Sequence, residues 1–229
     1  MSTYAYRFVG QDSLPKRLSD FDLNQFFQLS TDDITAISAQ FRKDHRAPAA
    51  LMVLVLRAAG RPLDSFTLVP ANLLRYVGAS FKTAAPTIAS LRSIYQRSQT
   101  LYKHQLWAKT YLGLKDLDAE IQAELELALH LQATEAAHTD ELAMAACHWL
   151  YERRILIPGP RRVQDWARDA FAAIEADILR SLIAAVPAEM LQHCHSSVHS
   201  QRPDAPITHL EWLKTPSKRH GASSLAETL

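Results

Sequence analysis

Glycine and cysteine are both scarce: six and two among 229 residues. Few glycines, with Ala, Leu, Gln and Glu plentiful, favour helix over sheet. Two isolated cysteines, Cys147 and Cys194, set no disulfide framework, so a reducing, cytoplasmic setting is expected. The longest apolar run, Ala47–Leu56, is shorter than the ~20 residues of a membrane span and reads as a buried helix. No membrane association is therefore expected. The opening MSTYAYRFVG lacks the basic start and apolar stretch of a secretion signal. No glycine-rich phosphate loop, nucleophile elbow or zinc-protease motif occurs. His193, Cys194, His195 and His199 are metal-type ligands, but their spacing matches no standard zinc site, and a solvated loop is the plainer reading. Cys147 and His148 are adjacent on a helix and diverge by roughly 100°, so they form no dyad. The expectation is a chain with no catalytic residue, no metal and no cofactor.

What the sequence does have is segregated charge. The net charge of +1 conceals it. Residues 41–115 hold twelve Lys or Arg against two acids, and residues 116–152 hold nine acids and no Lys or Arg. Residues 153–168 then place five arginines against Asp165 alone. Two basic surfaces separated by an acidic element are what phosphate backbones attract.

Turn signals divide the chain into helices. Ser19 or Asp20 caps the first, and Ser30 with Asp33 forms a capping box for the second. The stretch HRAP ends that helix, and an apolar helix over about Ala49–Ala59 stops at Gly60 with Pro62 beyond. Pro70 and Pro86 each open a helix as first-turn prolines. Thr139 or Asp140 caps a later helix. The longest pattern, from about Arg161 to Val186, carries an apolar stripe from Val163 to Leu182. From about Cys194 the chain is polar and linker-like, and it ends without a closing element, as though cut from something longer. The fold class expected is all-α, multi-helical, with two tandem helix-turn-helix-like units joined by a long acidic helix. The domains expected are 1–115, 116–193 and a tail over 194–229.

Two segments read as helix, tight turn, helix. In the first, a helix ending near Phe81 is followed by the turn KTAA and a helix that buries Ile88, Leu91 and Tyr95. Its outer face would present Thr87, Ser90, Ser93, Gln96 and Arg97, with Arg92 at the edge. Small polar and basic side chains suit a groove of DNA, where base edges are read. Lys82 and Thr83 in the turn, and Lys103 beyond, extend the basic surface. An ordinary helical hairpin with a solvated face is the alternative. In the second segment, ILIPG joins a helix ending at Arg153–Arg154 to one that begins PRRVQDWARD. Arg161, Arg162, Gln164 and Arg168 share the outer surface of its first turns, where a helix N-terminus favours anions. Arginine there can grip phosphate or guanine with two hydrogen bonds. The plainer reading, that an arginine stabilises the end of the preceding helix, applies to Arg153 or Arg154.

The order of these segments resembles the N-terminal region of Tn-three family replicative transposases. The resemblance rests on LSDFDLNQFFQLSTDDITAI, LVLRAAGRPL, YQRSQTLYKHQLWAKTYLGL, LYERRILIPGPRRVQDWARDA and HLEWLKTPSKRHGASSL. The stretch Ala47-Pro48-Ala49-Ala50 departs from the Leu-Gly-Phe-Ala type start of the family. The resemblance implies a region that recognises the terminal inverted repeats of a transposon with tandem helical modules. It also implies that the catalytic part lies elsewhere, so that this chain is an excised piece or a truncated product that cuts no DNA by itself. The partner expected is double-stranded DNA at transposon ends, with a second copy or the full-length transposase as further candidates. A bacterial, nucleoid-associated location follows. On this reading Lys82, Thr83, Ser90, Arg92, Ser93, Arg97 and Lys103 serve the first unit, and Arg154, Arg161, Arg162, Gln164 and Arg168 the second. A helical interaction module with complementary basic and acidic faces is the rival, and a truncated product that represses by competition is a third reading.

Overall fold

The computed structural model describes residues 6–203 and 206–214. Among them the chain is all-α, with eleven α-helices, a 3-10 turn at Leu63–Ser65 and no strand. The helices are α1 (Asp20–Phe26), α2 (Thr31–Gln40), α3 (Lys43–Ala59), α4 (Ala71–Ser80), α5 (Ile88–Tyr95) and α6 (Ser98–Leu112). They continue with α7 (Ala119–Gln132), α8 (Thr139–Glu152), α9 (Pro160–Ala185), α10 (Ala188–His199) and α11 (His209–Lys214). Packing divides the chain after Ile174.

Two hydrophobic clusters hold the part before that division. The first is built on α3, whose residues from Ala47 to Leu56 are all buried, with α2, α4 and α6 laid against it. The second joins Leu125 and Leu129 of α7, Leu142 to Leu150 of α8, and Val163, Trp166 and Ala167 of α9. The N-terminal segment contributes adjacent residues to both: Phe8 to the first and Val9 to the second. Gly10 then donates its N–H to the Ala59 carbonyl at 3.0 Å with φ 73°. A side chain there would strike the sulfur of buried Cys147.

Several helix ends follow from local chemistry. Ser19 caps α1, and Ser30 and Asp33 form the reciprocal capping box of α2. Gly60 and Gly113 end α3 and α6 in the left-handed conformation that glycine takes without steric cost.

Other ends differ from the sequence reading. The stretch HRAP does not separate α2 from the apolar helix: α2 already stops at Gln40, and HRAP lies within α3, which begins at Lys43 rather than near Ala49 and carries Pro48 inside it. The proline removes one early hydrogen bond, and burial of the whole apolar run overrides that loss. Arg46 supports the junction by donating to the Phe41 and Ser38 carbonyls at 3.1 Å each, the open end of α2. Pro86 lies outside α5, which starts after a Thr87–Ser90 capping box. The residue before α8 is His138, with no side-chain cap; Glu141 instead reaches back to the Ala137 N–H at 2.9 Å. Along α9, burial stops at Ile174, and Ile178 and Leu182 are exposed. Cys194–His199, read as loop, complete α10.

Four polar side chains are buried among the described residues: Asp22, Asp33, Arg61 and His104. The Asp33 side chain is 2% exposed; it accepts from Arg57 Nη1 and Nη2 at 2.9 and 2.6 Å, from Tyr111 Oη at 2.8 Å and from the Ser30 N–H at 2.8 Å. Burial alone would raise its pKa, but the Arg57, Ser30 and Tyr111 hydrogen bonds with the Arg57 charge hold it at about 2. His104 lies between Tyr95 Oη at 3.1 Å and His45 Nδ1 at 3.2 Å, and burial, then the neighbouring His45, lower its pKa to about 4. Arg61 is also buried, beside Cys147.

Both titrating groups have folded-state pKa values below their unfolded ones, so each stabilises above its unfolded pKa and loses that contribution as pH falls. His104 is the first to act, between about pH 6.5 and 4, and Asp33 follows between about pH 4 and 2. The urea midpoint at pH 4 is expected below that at pH 7, with His104 accounting for about 3 kcal/mol of the loss. His104→Gln should flatten the pH 7 to 4 limb; an unchanged limb would exclude His104 as its source.

Candidate nucleic-acid interface

The two turns singled out in the sequence share one backbone feature. Among the described residues only Lys82 and Arg154 have positive φ without being glycine, at 51° and 56°. Each follows the end of a helix. Thr83 N–H donates to the Gly78 carbonyl and Lys82 N–H to Ala79, closing α4. Ile155 N–H donates to the Leu150 carbonyl and Arg154 N–H to Tyr151, closing α8 in the same way. Glycine is the usual occupant of this left-handed position, and a residue with a Cβ costs roughly 1 kcal/mol there. Both turns place a long cation where the backbone would prefer glycine.

In the first turn, Gly78 permits the approach of the chain: a Cβ on it would lie 2.7 Å from Ala85 Cα. Thr83 is half-buried, and its hydroxyl faces the Gly78 carbonyl at 3.4 Å. The helix that follows, α5, is exposed over most of its surface. Leu91 is its one buried residue; Tyr95 is half-buried and Ile88, expected inside, is 38% exposed. Ser90 is exposed but committed, exchanging hydrogen bonds with Thr87 in the capping box. Lys82, Arg92, Ser93 and Arg97 are exposed, and no ion pair ties the three cations among the described residues. Lys103, on α6, lines a groove of about 600 Å³ with Arg42, His45 and Trp107. Arg42 was not singled out from the sequence, because nothing local distinguishes it from its neighbours Lys43 and Arg46.

The second turn is fastened to the first part through backbone bonds. Lys115 N–H donates to the Arg154 carbonyl and Leu156 N–H to Lys115, while Ile157 N–H donates to Gly60. Arg153 stacks on Trp149, its guanidinium 3.9 Å from the ring centre, and donates to the Trp149 carbonyl. It is therefore the arginine that serves its own helix end. The Arg154 side chain is exposed, with no hydrogen bond or ion pair among the described residues. Arg161 is in the same state. Arg162 donates to Gln122 Oε1 at 2.7 Å and lies over the Trp166 ring. Gln164 reaches Asp140 at 3.4 Å, and Arg168 pairs with Asp165. The end of α9 offers few free amides: Pro160 has no N–H, and Arg162 and Val163 both donate to the Gly159 carbonyl. Anion binding at this turn thus depends on side chains more than on the helix terminus.

Arg57 and Tyr111 were also not legible as site residues. With Tyr6, Tyr151 and Arg154 they line a cavity of about 630 Å³. The four metal-type side chains of α10 form no group of three that could hold an ion, and no such group occurs among the described residues. No helix among them is long and apolar enough to cross a membrane.

These features define a helical protein with exposed basic turns, and relatives make the class definite. Residues 11–170 match the family described as "Domain of unknown function (DUF4158)", and the chain belongs to it. It is also homologous to the N-terminal region of Tn-three family transposases. It is 31% identical over 222 residues to the transposase for insertion sequence element IS1071 in transposon Tn5271 of Comamonas testosteroni, covering 97% of this chain and 23% of that protein. It is 23% identical over 204 residues to the transposase for transposon Tn1546 of Enterococcus faecium, covering 85% of this chain and 19% of that protein. The chain spans about a fifth of the length of these curated relatives.

Proposed function

We propose that the chain is the DNA-binding part of a transposase, recognising the terminal inverted repeats of a transposon and performing no strand transfer of its own. One observation carries the reading: the two helix-turn-helix-like segments each hold an unpaired cation, Lys82 or Arg154, at a left-handed turn position. Neither cation has a protein partner that explains the strain. A phosphate beside each turn supplies one. Exposed α5, with Arg92, Ser93 and Arg97, then serves as the base-reading element of the first unit, and Lys103 holds backbone. Arg161, Arg162, Gln164 and Arg168 serve the second. Ser90 and Thr83 contribute through the shape of the turn, since their hydroxyls are already engaged. The acidic helix α7 packs as scaffold against α8.

A second reading draws on the exposed apolar residues Ile178, Leu179, Leu182 and Ile183 of α9, which suit contact with a second copy or with a full-length transposase. One titration separates the two. Mobility shift at low salt should show tighter binding of a terminal-repeat duplex than of a random duplex, falling steeply as salt rises. No shift of either duplex at micromolar protein, with dimer formation instead, would overturn the DNA reading.

A further inference from the structure

We propose that the 630 Å³ cavity between α3, α6 and α8 binds a nucleotide, its phosphate held by Arg154 and Arg57 and its base laid against tyrosine. The inference rests on the reading of Arg154 as a phosphate ligand and gives that residue a built site.

Three observations converge. Arg154 lines the cavity from a strained backbone position and has no partner among the described residues. An outlier of this kind points to a role that the chain alone does not supply. Arg57 lines the same cavity and is held rigidly: Asp33 takes two of its N–H bonds and the Gln28 carbonyl accepts a third at 3.4 Å. Its Nε–H and one Nη2 hydrogen stay outside these bonds. A guanidinium fixed in advance loses little freedom when it takes a ligand. Asp33 is not among the lining residues but compensates the Arg57 charge, so Arg57 offers fixed N–H donors while Arg154 is the cation whose charge is left for a ligand, beside one anion, Glu152.

The remaining walls select what the phosphate is attached to. Tyr111 stacks on Trp107 at 7° with centroids 5.1 Å apart, which fixes its ring. Tyr151 is fixed through its hydroxyl, which donates to the Arg57 carbonyl at 2.7 Å. Rigid aromatic rings beside cations suit an unpaired base, whose π-face stacks without regard to sequence. Glu152, which accepts from Tyr6 Oη at 2.5 Å, keeps a second carboxylate oxygen for an exocyclic amine. The space exceeds that of a bare phosphate and lies within the usual range of small-molecule pockets. A free nucleotide and an unpaired terminal nucleotide of DNA share this chemistry.

The test uses the full chain, with calorimetric titration of a deoxynucleoside monophosphate and, separately, inorganic phosphate. The nucleotide should bind at least about tenfold more tightly than phosphate. Arg154→Gly should weaken nucleotide binding by about tenfold or more, while Tm rises by about 2–4 °C as the left-handed turn is relieved. The opposite signs matter, because loss of binding through misfolding would lower Tm. Undetectable nucleotide binding, or binding unaffected by Arg154→Gly, overturns the cavity; wild-type mobility shift of the terminal-repeat duplex would then still stand. Equal affinity for phosphate and nucleotide overturns the base-binding half. A duplex with one unpaired end nucleotide, binding more tightly than its blunt form, assigns the ligand to DNA; equal binding of the two duplexes assigns it to free nucleotide.

Discussion

Arg161→Ala is expected to weaken binding of a terminal-repeat duplex by about 1–3 kcal/mol, roughly five- to 150-fold. The side chain stands in the first turn of α9 with no internal partner, so contact with DNA breaks nothing within the chain. Its neighbours differ. Arg162 must give up Gln122 and its place over Trp166, and Arg168 must give up Asp165. Each exchanges one favourable contact for another, so Arg162→Ala and Arg168→Ala should cost less than Arg161→Ala. The salt dependence distinguishes roles. If Arg161 holds a phosphate, the slope of log affinity against log salt falls by about one and all sequences weaken together. If it reads a base, discrimination against one mutated position collapses while random-sequence binding changes little. An Arg161→Ala, Arg162→Ala double variant that binds the repeat as well as wild type would remove the second turn from the interface.

The parts of the molecule visible in the sequence are those set by neighbours along the chain. Ser30 and Asp33 are three residues apart, and the capping box needs nothing else. Gly60 and Pro160 are equally local: Gly60 ends α3 and Pro160 starts α9 where expected, whereas α8 stops at Glu152, well before Pro158 and Gly159. The early start of α3 was hidden because a proline inside a helix opposes local propensity, and only burial of the surrounding apolar run overrides it. The cap at Thr87 was hidden behind Pro86, one residue away.

The candidate site divides in the same manner. Charge blocks and turn punctuation indicated both basic turns, and the surface exposure of Lys82, Arg92, Arg97 and Arg161 follows from polar character alone. Left-handed backbone at Lys82 and Arg154 left no mark, because a sequence advertises that conformation through glycine, and neither position has one. The block of twelve cations also looked uniform. In the fold, Arg57 is paired with Asp33, Arg61 is buried, Arg46 caps α2 and Lys109 pairs with Asp116. Sequence counts charge, whereas long-range packing decides which charge remains available to a partner.

Asp33→Ala is expected to destabilise the chain by about 3–5 kcal/mol, the cost of breaking one side of a buried pair. Four donors converge on this carboxylate from three elements: Ser30 at the start of α2, Arg57 on α3 and Tyr111 on α6. Removing it leaves Arg57 charged without its partner, and it opens the capping box, itself worth about 1 kcal/mol. Tyr111→Phe removes a single hydrogen bond to the same carboxylate and should cost only about 1 kcal/mol. Asp33→Asn should fall between them, since the amide keeps an acceptor but loses the charge that holds Arg57. Urea denaturation at pH 7 measures all three. A loss under about 1 kcal/mol for Asp33→Ala would mean that the ring of donors is satisfied by solvent, and Asp33 would lose its place as the hub joining α2, α3 and α6. The acid limb supplies an independent check: in Asp33→Ala the fall in stability between about pH 4 and 2 should disappear, while the His104 contribution above pH 4 remains.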